Sequence, residues 1–173
     1  MTEPTRNKRP MGTAFTIAFW ILLLIGLAQI FGDYLDRRNN PNRHLAVFDI
    51  SEGNELVLQR NNLGHYLAPG LINGYQVTFL LDTGATSISV PQSVAKAAGL
   101  QEGRRGMVST ASGVVHVYQT QIEELQLGPI RMRDVRGHIN PHMPDNTVLL
   151  GMTFMRDLEI IQRDGTLTLR VPQ

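Results

Sequence analysis

From Met11 to Gly32 the chain runs without a single charged side chain, and its centre reads FTIAFWILLLIGLAQIF. At about 1.5 Å of rise per residue, a helix over that run spans roughly 33 Å, close to the hydrocarbon thickness of a bilayer. In lipid every backbone amide and carbonyl needs an internal partner, so such a segment has to be helical. Arg6, Lys8 and Arg9 precede it, while Asp33 and Asp36 follow it ahead of Arg37, Arg38 and Arg43. The nearest flanking charges favour a cytoplasmic tail at 1–10, a transmembrane anchor at 11–32, and the remainder across the membrane. Gly26-Leu27-Ala28 offers small residues for a signal-peptide cut, which is the competing reading.

Beyond the anchor, residues 33–54 are polar, rich in Asn and interrupted by Pro41, the composition of a linker. From Glu55 onward the texture changes to short β-type runs punctuated by Gly, Asn, Asp and Pro. The separate strands expected there include Tyr75–Leu81, Val114–Thr120, Ile122–Leu127, Ile130–Arg133, Val135–Ile139 and Thr147–Leu150. Ile72-Asn73-Gly74-Tyr75 carries an Asn-Gly hairpin signal, and Asp164-Gly165 does the same near the C-terminus. One short helix is expected after Pro91, ending at Gly99, and a further helical turn after Gly151. The expectation is a mostly β domain with mainly antiparallel pairing.

Composition closes several routes. The chain has no cysteine, so disulfide scaffolds, thiol nucleophiles and Cys-ligated metals are excluded. Sixteen basic against fifteen acidic residues leave a formal charge of +1, which gives no field for nucleic acid. His138-Ile139-Asn140-Pro141-His142 has a metal-like His spacing, but Pro141 works against both rings sharing a helix face, and a surface loop is expected. His116 reads as a solvent-facing strand residue. Neither a metal nor another cofactor is expected.

One stretch carries chemistry: Val77-Thr78-Phe79-Leu80-Leu81-Asp82-Thr83-Gly84-Ala85-Thr86. A strand ending in two large apolar residues delivers an aspartate into a glycine turn, where neighbouring amides can hydrogen-bond its carboxylate. Downstream, Val148-Leu149-Leu150-Gly151 repeats the strand-into-glycine pattern without an acid. Between the two lies a hairpin candidate around Thr110, Ala111, Ser112, Gly113 and Val114.

In this order the motifs LLDTGA, TASGVV and VLLGMTF resemble the retropepsin-like aspartic proteases, and in particular their membrane-anchored bacterial branch. The resemblance spans roughly Glu55 to Val171 and implies a retropepsin-like half-barrel at 55–173. It implies that Asp82 is catalytic, and that Thr83, Gly84 and Ala85 form the active-site loop. Leu149, Leu150 and Gly151 would support that loop from beneath, and Thr110–Val114 would be a substrate-covering flap. It also implies a bacterial inner-membrane location, with the protease domain periplasmic. A water-activating pair needs two carboxylates, and only one Asp-Thr-Gly is present, so the partner expected is a second copy of the chain. The substrate expected is a peptide in extended conformation. The alternative is a non-catalytic module that binds peptides or dimerises. Two departures from the viral pattern stand out: Thr86 and Met152 occupy positions where viral members commonly carry an interacting acid and arginine. Ala85 lacks the hydroxyl of pepsin-type loops, so the carboxylate pair should be less acidic than theirs.

Overall fold

The computed structural model describes residues 11–45, 54–110, 113–143 and 146–172. The expected tail at 1–10 lies outside them, as do 46–53 and the flap-tip residues Ala111 and Ser112. The chain divides into two units, residues 1–36 and 37–173.

Helix α1 covers Met11–Asn39. Its segment from Gly12 is long and apolar enough to cross a membrane, with a mean hydropathy of 2.3. The helix runs on past Gly32, where the uncharged stretch ends. Asp33 to Arg38 are compatible with helix, Arg37 and Arg38 suit its negative C-terminal end, and Pro41 bars continuation.

The second unit is β-built. Its strands are β1 (Glu55–Gln59), β2 (Tyr66–Ile72), β3 (Tyr75–Leu81), β4 (Ile88–Pro91), β5 (Arg105–Thr110), β6 (Gly113–Leu127), β7 (Ile130–Asn140), β8 (Thr147–Leu150), β9 (Glu159–Arg163) and β10 (Thr166–Arg170). Helix α2 (Gln92–Ala97) and the single turn α3 (Met152–Met155) complete it. One sheet runs β2-β3-β8-β4-β7-β6-β5, and the extra β2–β6 pairing curls it into a half-barrel. A smaller sheet, β1-β10-β9, closes one side. The large sheet mixes directions: β3–β8 and β4–β7 are parallel.

The two hairpin signals form as their chemistry demands. Asn73 and Gly74 take φ of 49° and 80°, and Asp164 and Gly165 take 49° and 80°, the left-handed pair of a type I′ turn. Where β2 meets β6, a side chain on Gly70 would come within 2.4 Å of both the Gln126 carbonyl and the Phe79 ring. Closure there needs a residue with no Cβ. Phe79, Ile88, Ile122, Leu125, Val148, Leu150 and Phe154 fill the interior, each fully buried.

Two expectations about strands are corrected. Val114–Thr120 and Ile122–Leu127 are one strand, β6, and Ile130–Arg133 and Val135–Ile139 are one strand, β7. The sequence looks broken because Asp134 takes φ 53° inside β7, a local kink that the ladder bridges on either side.

Asn40–Leu45, expected as part of a loose linker, forms a turn held to the β unit. Asn42 is only 2% exposed. Its Nδ2 donates to the carbonyls of Gln59 and Leu67, both at 2.8 Å, and its Oδ1 accepts from the Gln59 amide at 2.8 Å. Asn61 adds a bond from Nδ2 to the Asn39 carbonyl at 2.9 Å. One buried amide thus completes the ends of two strands. Replacing Asn42 by Ala leaves those backbone groups unsatisfied, and we expect a loss of about 2 to 4 kcal/mol. Urea denaturation followed by tryptophan-independent circular dichroism checks this, and an unchanged midpoint contradicts it.

Candidate active site

The sequence echo between FLLD and VLLG becomes a physical neighbourhood. Strands β3 and β8 lie parallel with Leu80 beside Leu149 and Leu81 beside Leu150. The ladder continues one step further, where the Asp82 amide donates to the Leu150 carbonyl at 3.0 Å. Asp82 therefore leaves the sheet directly alongside Gly151.

Around Asp82 the loop folds back on itself. The Gly84 amide donates to Asp82 Oδ1 at 2.8 Å, and the Ala85 amide donates to the Asp82 carbonyl at 3.1 Å. The carboxylate is oriented by backbone while its side chain stays exposed. Thr83 is exposed beside it, and its hydroxyl has no hydrogen-bond partner among the described residues.

The supporting segment grips the loop from the other side. Met152 N donates to the Ala85 carbonyl at 2.8 Å, Thr153 N to the Thr86 carbonyl at 2.9 Å, and Thr153 Oγ1 to the same carbonyl at 2.9 Å. Gly151 is the contact point: a Cβ there would sit 2.6 Å from the Ala85 carbonyl oxygen and 2.8 Å from the Ser87 nitrogen. Both obstacles are backbone, which cannot rotate away. The two segments thus meet through main chain, Met152 to Ala85 and Thr153 to Thr86, without the acid–arginine contact of the viral pattern.

Of the expected flap, Thr110 and Gly113 close the β5–β6 hairpin, with Thr110 Oγ1 donating to the Gly113 carbonyl at 2.8 Å. Val114 is 68% exposed, and Met107 on β5, which sequence reasoning missed, is 69% exposed. Met107 pairs with His116 and Ser109 with Val114, so all four share one ribbon face. The missed signal is the alternation of β5 itself, which puts an apolar residue on an open face.

Two concavities adjoin the loop. A small one of about 190 Å³ is shared by Asp82, Thr83, His65, Tyr66 and Gln162. A groove of about 1230 Å³ runs past Ser87, His138 and Thr153. His138 lies in β7, within the strand expected over Val135–Ile139, and its 9% exposure corrects the reading of His138–His142 as a surface loop. Its Nδ1 lies 3.3 Å from Ser87 Oγ, and burial pushes its imidazole below the usual histidine range.

The comparisons with known proteins agree with this geometry. Residues 68–157 match the family described as "gag-polyprotein putative aspartyl protease", and that span contains both Asp82 and Gly151. The chain belongs to the retropepsin-like aspartic protease family. The crystal structure of a retropepsin-like aspartic protease from Rickettsia conorii has the same fold, with a TM-score of 0.57 at 21% identity, over 68% of this retropepsin-like chain and 89% of that one. An uncharacterized protein in the cobV 5′ region of a Sinorhizobium species is 28% identical over 167 residues, which is 89% of this chain and 72% of the relative.

Gly151→Ala tests the contact beneath the loop. The added methyl has to displace backbone, so we expect a loss of about 1 to 3 kcal/mol. A urea midpoint equal to that of the parent contradicts the contact.

Proposed function

We propose that this retropepsin-like chain is a membrane-anchored aspartic endopeptidase that works as a homodimer through Asp82. The observation that carries the reading is a solitary, exposed aspartate, oriented by the Gly84 amide, on the loop of a retropepsin-like fold. Hydrolysis by an activated water needs one group to accept its proton and another to donate a proton to the departing amide. Two carboxylates brought close together cannot both ionise, so a pair holds one shared proton and provides both roles. Asp82 and Asp82 of a second copy, related by a two-fold axis, supply that pair.

In this reading one Asp82 takes a proton from water as its oxygen attacks the scissile carbonyl. The other gives its proton to the carbonyl oxygen. As the C–N bond breaks, the proton taken from water passes to the leaving nitrogen, and the second Asp82 recovers a proton from a hydroxyl of the collapsing diol, which leaves as the carboxylic acid and restores the singly protonated pair. Thr83, with its hydroxyl exposed at the same loop, braces the two loops against each other across the axis. Gly84 and Ala85 shape the loop, and Leu149, Leu150 and Gly151 hold it in register. Thr110–Val114 with Met107 closes over a peptide bound in extended form, excluding water.

The organisation that accompanies this reading is a cytoplasmic tail at 1–10, an anchor at 11–32, a connecting segment at 33–54 and the protease domain at 55–173. In a bacterium this puts the domain on the periplasmic side of the inner membrane. Tethering two copies to one surface raises their effective concentration and favours the dimer.

The test is hydrolysis of a denatured protein mixture by the full chain in detergent, with Asp82→Asn as its twin. We expect the substitution to lower the rate by more than about 1000-fold while the dimer fraction in sedimentation stays the same. The parent's rate should peak between about pH 4 and 6, because Ala85 gives the pair no hydroxyl donor. Equal rates for the two proteins, or a maximum below about pH 3, contradict the reading.

A further inference from the structure

The active-site loop is gripped from two directions. Beneath it are the main-chain bonds from Met152 and Thr153, and beside it is Ser87, whose Oγ lies 3.3 Å from His138 Nδ1. Among the described residues this is the side-chain hydrogen bond that ties the segment 82–87 to β7. His138 pairs with Ser89 of β4 and Gln119 of β6, so it occupies the middle of the sheet rather than a rim. A polar ring in that position needs a reason, and Ser87 is its partner.

We propose that the His138–Ser87 pair is a positioning device for the active-site loop, and that protonation of His138 sets an acid limb of activity separate from that of the carboxylate pair. The second half rests on the peptidase reading above. With the ring neutral and its proton on Nε2, Nδ1 accepts from the Ser87 hydroxyl. Once charged, Nδ1–H donates and the hydroxyl turns to accept, but burial disfavours the cation at this position, so the ring is drawn toward the groove and the segment behind the loop loses its hold.

The surroundings give a charged ring little help. Glu102 and Arg104 face the groove from the loop before β5, Arg133, Asp134 and Arg136 from β7, and Arg156 and Asp157 from beyond α3. Arg133 pairs with Glu124, Arg156 with Asp157, and Asp134 accepts from Gln121. The segment just before β4 presents uncharged Ser87, and β6 presents Gln119, Thr120 and Gln121. Burial therefore dominates and holds the His138 imidazole below its ordinary range. The sign follows: with its folded value lowered, His138 takes up its proton at lower pH in the folded protein than in the unfolded chain. Its contribution to stability is complete above the ordinary histidine pKa of about 6.5 and falls as acidification proceeds toward the lowered value, where the folded ring itself is protonated and the loop loses order.

The experiment compares kcat/KM against pH for the full chain in detergent, for His138→Gln and for Ser87→Ala, each normalised to its own maximum. A glutamine stays neutral at every pH and keeps an amide for Ser87. We expect its acid limb to move to lower pH, with about fivefold more relative activity one unit below the parent's half-maximal point. Ser87→Ala should flatten the same limb, and the double variant should add nothing further. Superimposable profiles overturn the proposal. A second readout does not depend on activity: the backbone amide resonances of Thr86 and Ser87 should shift with the His138 ring titration in the parent and stay still in His138→Gln. If the parent and Asp82→Asn are equally inert, the peptidase reading has failed, and these resonances still decide the positioning role. Amides that ignore the ring titration overturn it.

Discussion

The parallel pairing of β3 with β8 is the constraint on which the rest of this structure depends. It sets Leu81 beside Leu150, extends by the bond from the Asp82 amide to the Leu150 carbonyl, and so delivers an acid and a glycine to the same edge of the sheet. The acid is exposed, and the glycine is buried. Apolar side chains on both strands, with Phe79, Val148 and Leu150 fully buried, fix the register, because a slip of one residue would turn them outward. Loop geometry is then inherited: Ala85, Thr86 and Ser87 have nowhere to go except over Gly151, where backbone packs on backbone with no room for a methyl.

On the proposed reading, a chain with one aspartate at such an edge supplies half of a catalytic pair. The demand for both a proton acceptor and a proton donor would then make the second copy part of the chemistry rather than an accessory. The Thr83 side chain and the side chains of Met107 and Val114 are exposed, and the proposed assembly would give them partners. An anchor that confines two copies to one membrane would ease that assembly. In that proposed assembly, the absence of an acid–arginine contact at Thr86 and Met152 would shift more of the burden onto this confinement, while within the chain the loop is held by main-chain bonds from Met152 and Thr153.

How much of this could be read in the sequence depended on whether a feature is local. The Asn73-Gly74 and Asp164-Gly165 turns were legible because left-handed φ is a property of two adjacent residues. The LLD and LLG echo was legible because each half is a contiguous run, and the half-barrel and the family followed from the order of those motifs. The length of β7 was not, since Asp134 interrupts the pattern while the ladder continues across it. Asn42 was invisible for a different reason: in a polar, Asn-rich run it looks like linker, and its partners are backbone atoms 17 and 25 residues away. His138 was misread because its neighbour Pro141 signals a loop, whereas the strand reaches Asn140 before the chain turns. Flanking chemistry reports what a residue's neighbours do, and burial is decided by strands distant in sequence.

The most direct measurement of the central claim mixes parent chain with Asp82→Asn at fixed total concentration, under conditions where subunits exchange, and follows peptide hydrolysis as the parent fraction is lowered. If each active centre takes one Asp82 from each of two copies, mixed dimers are inert and the rate falls as the square of the parent fraction. A rate that falls in simple proportion to the parent fraction would mean that one chain suffices, and would contradict the account.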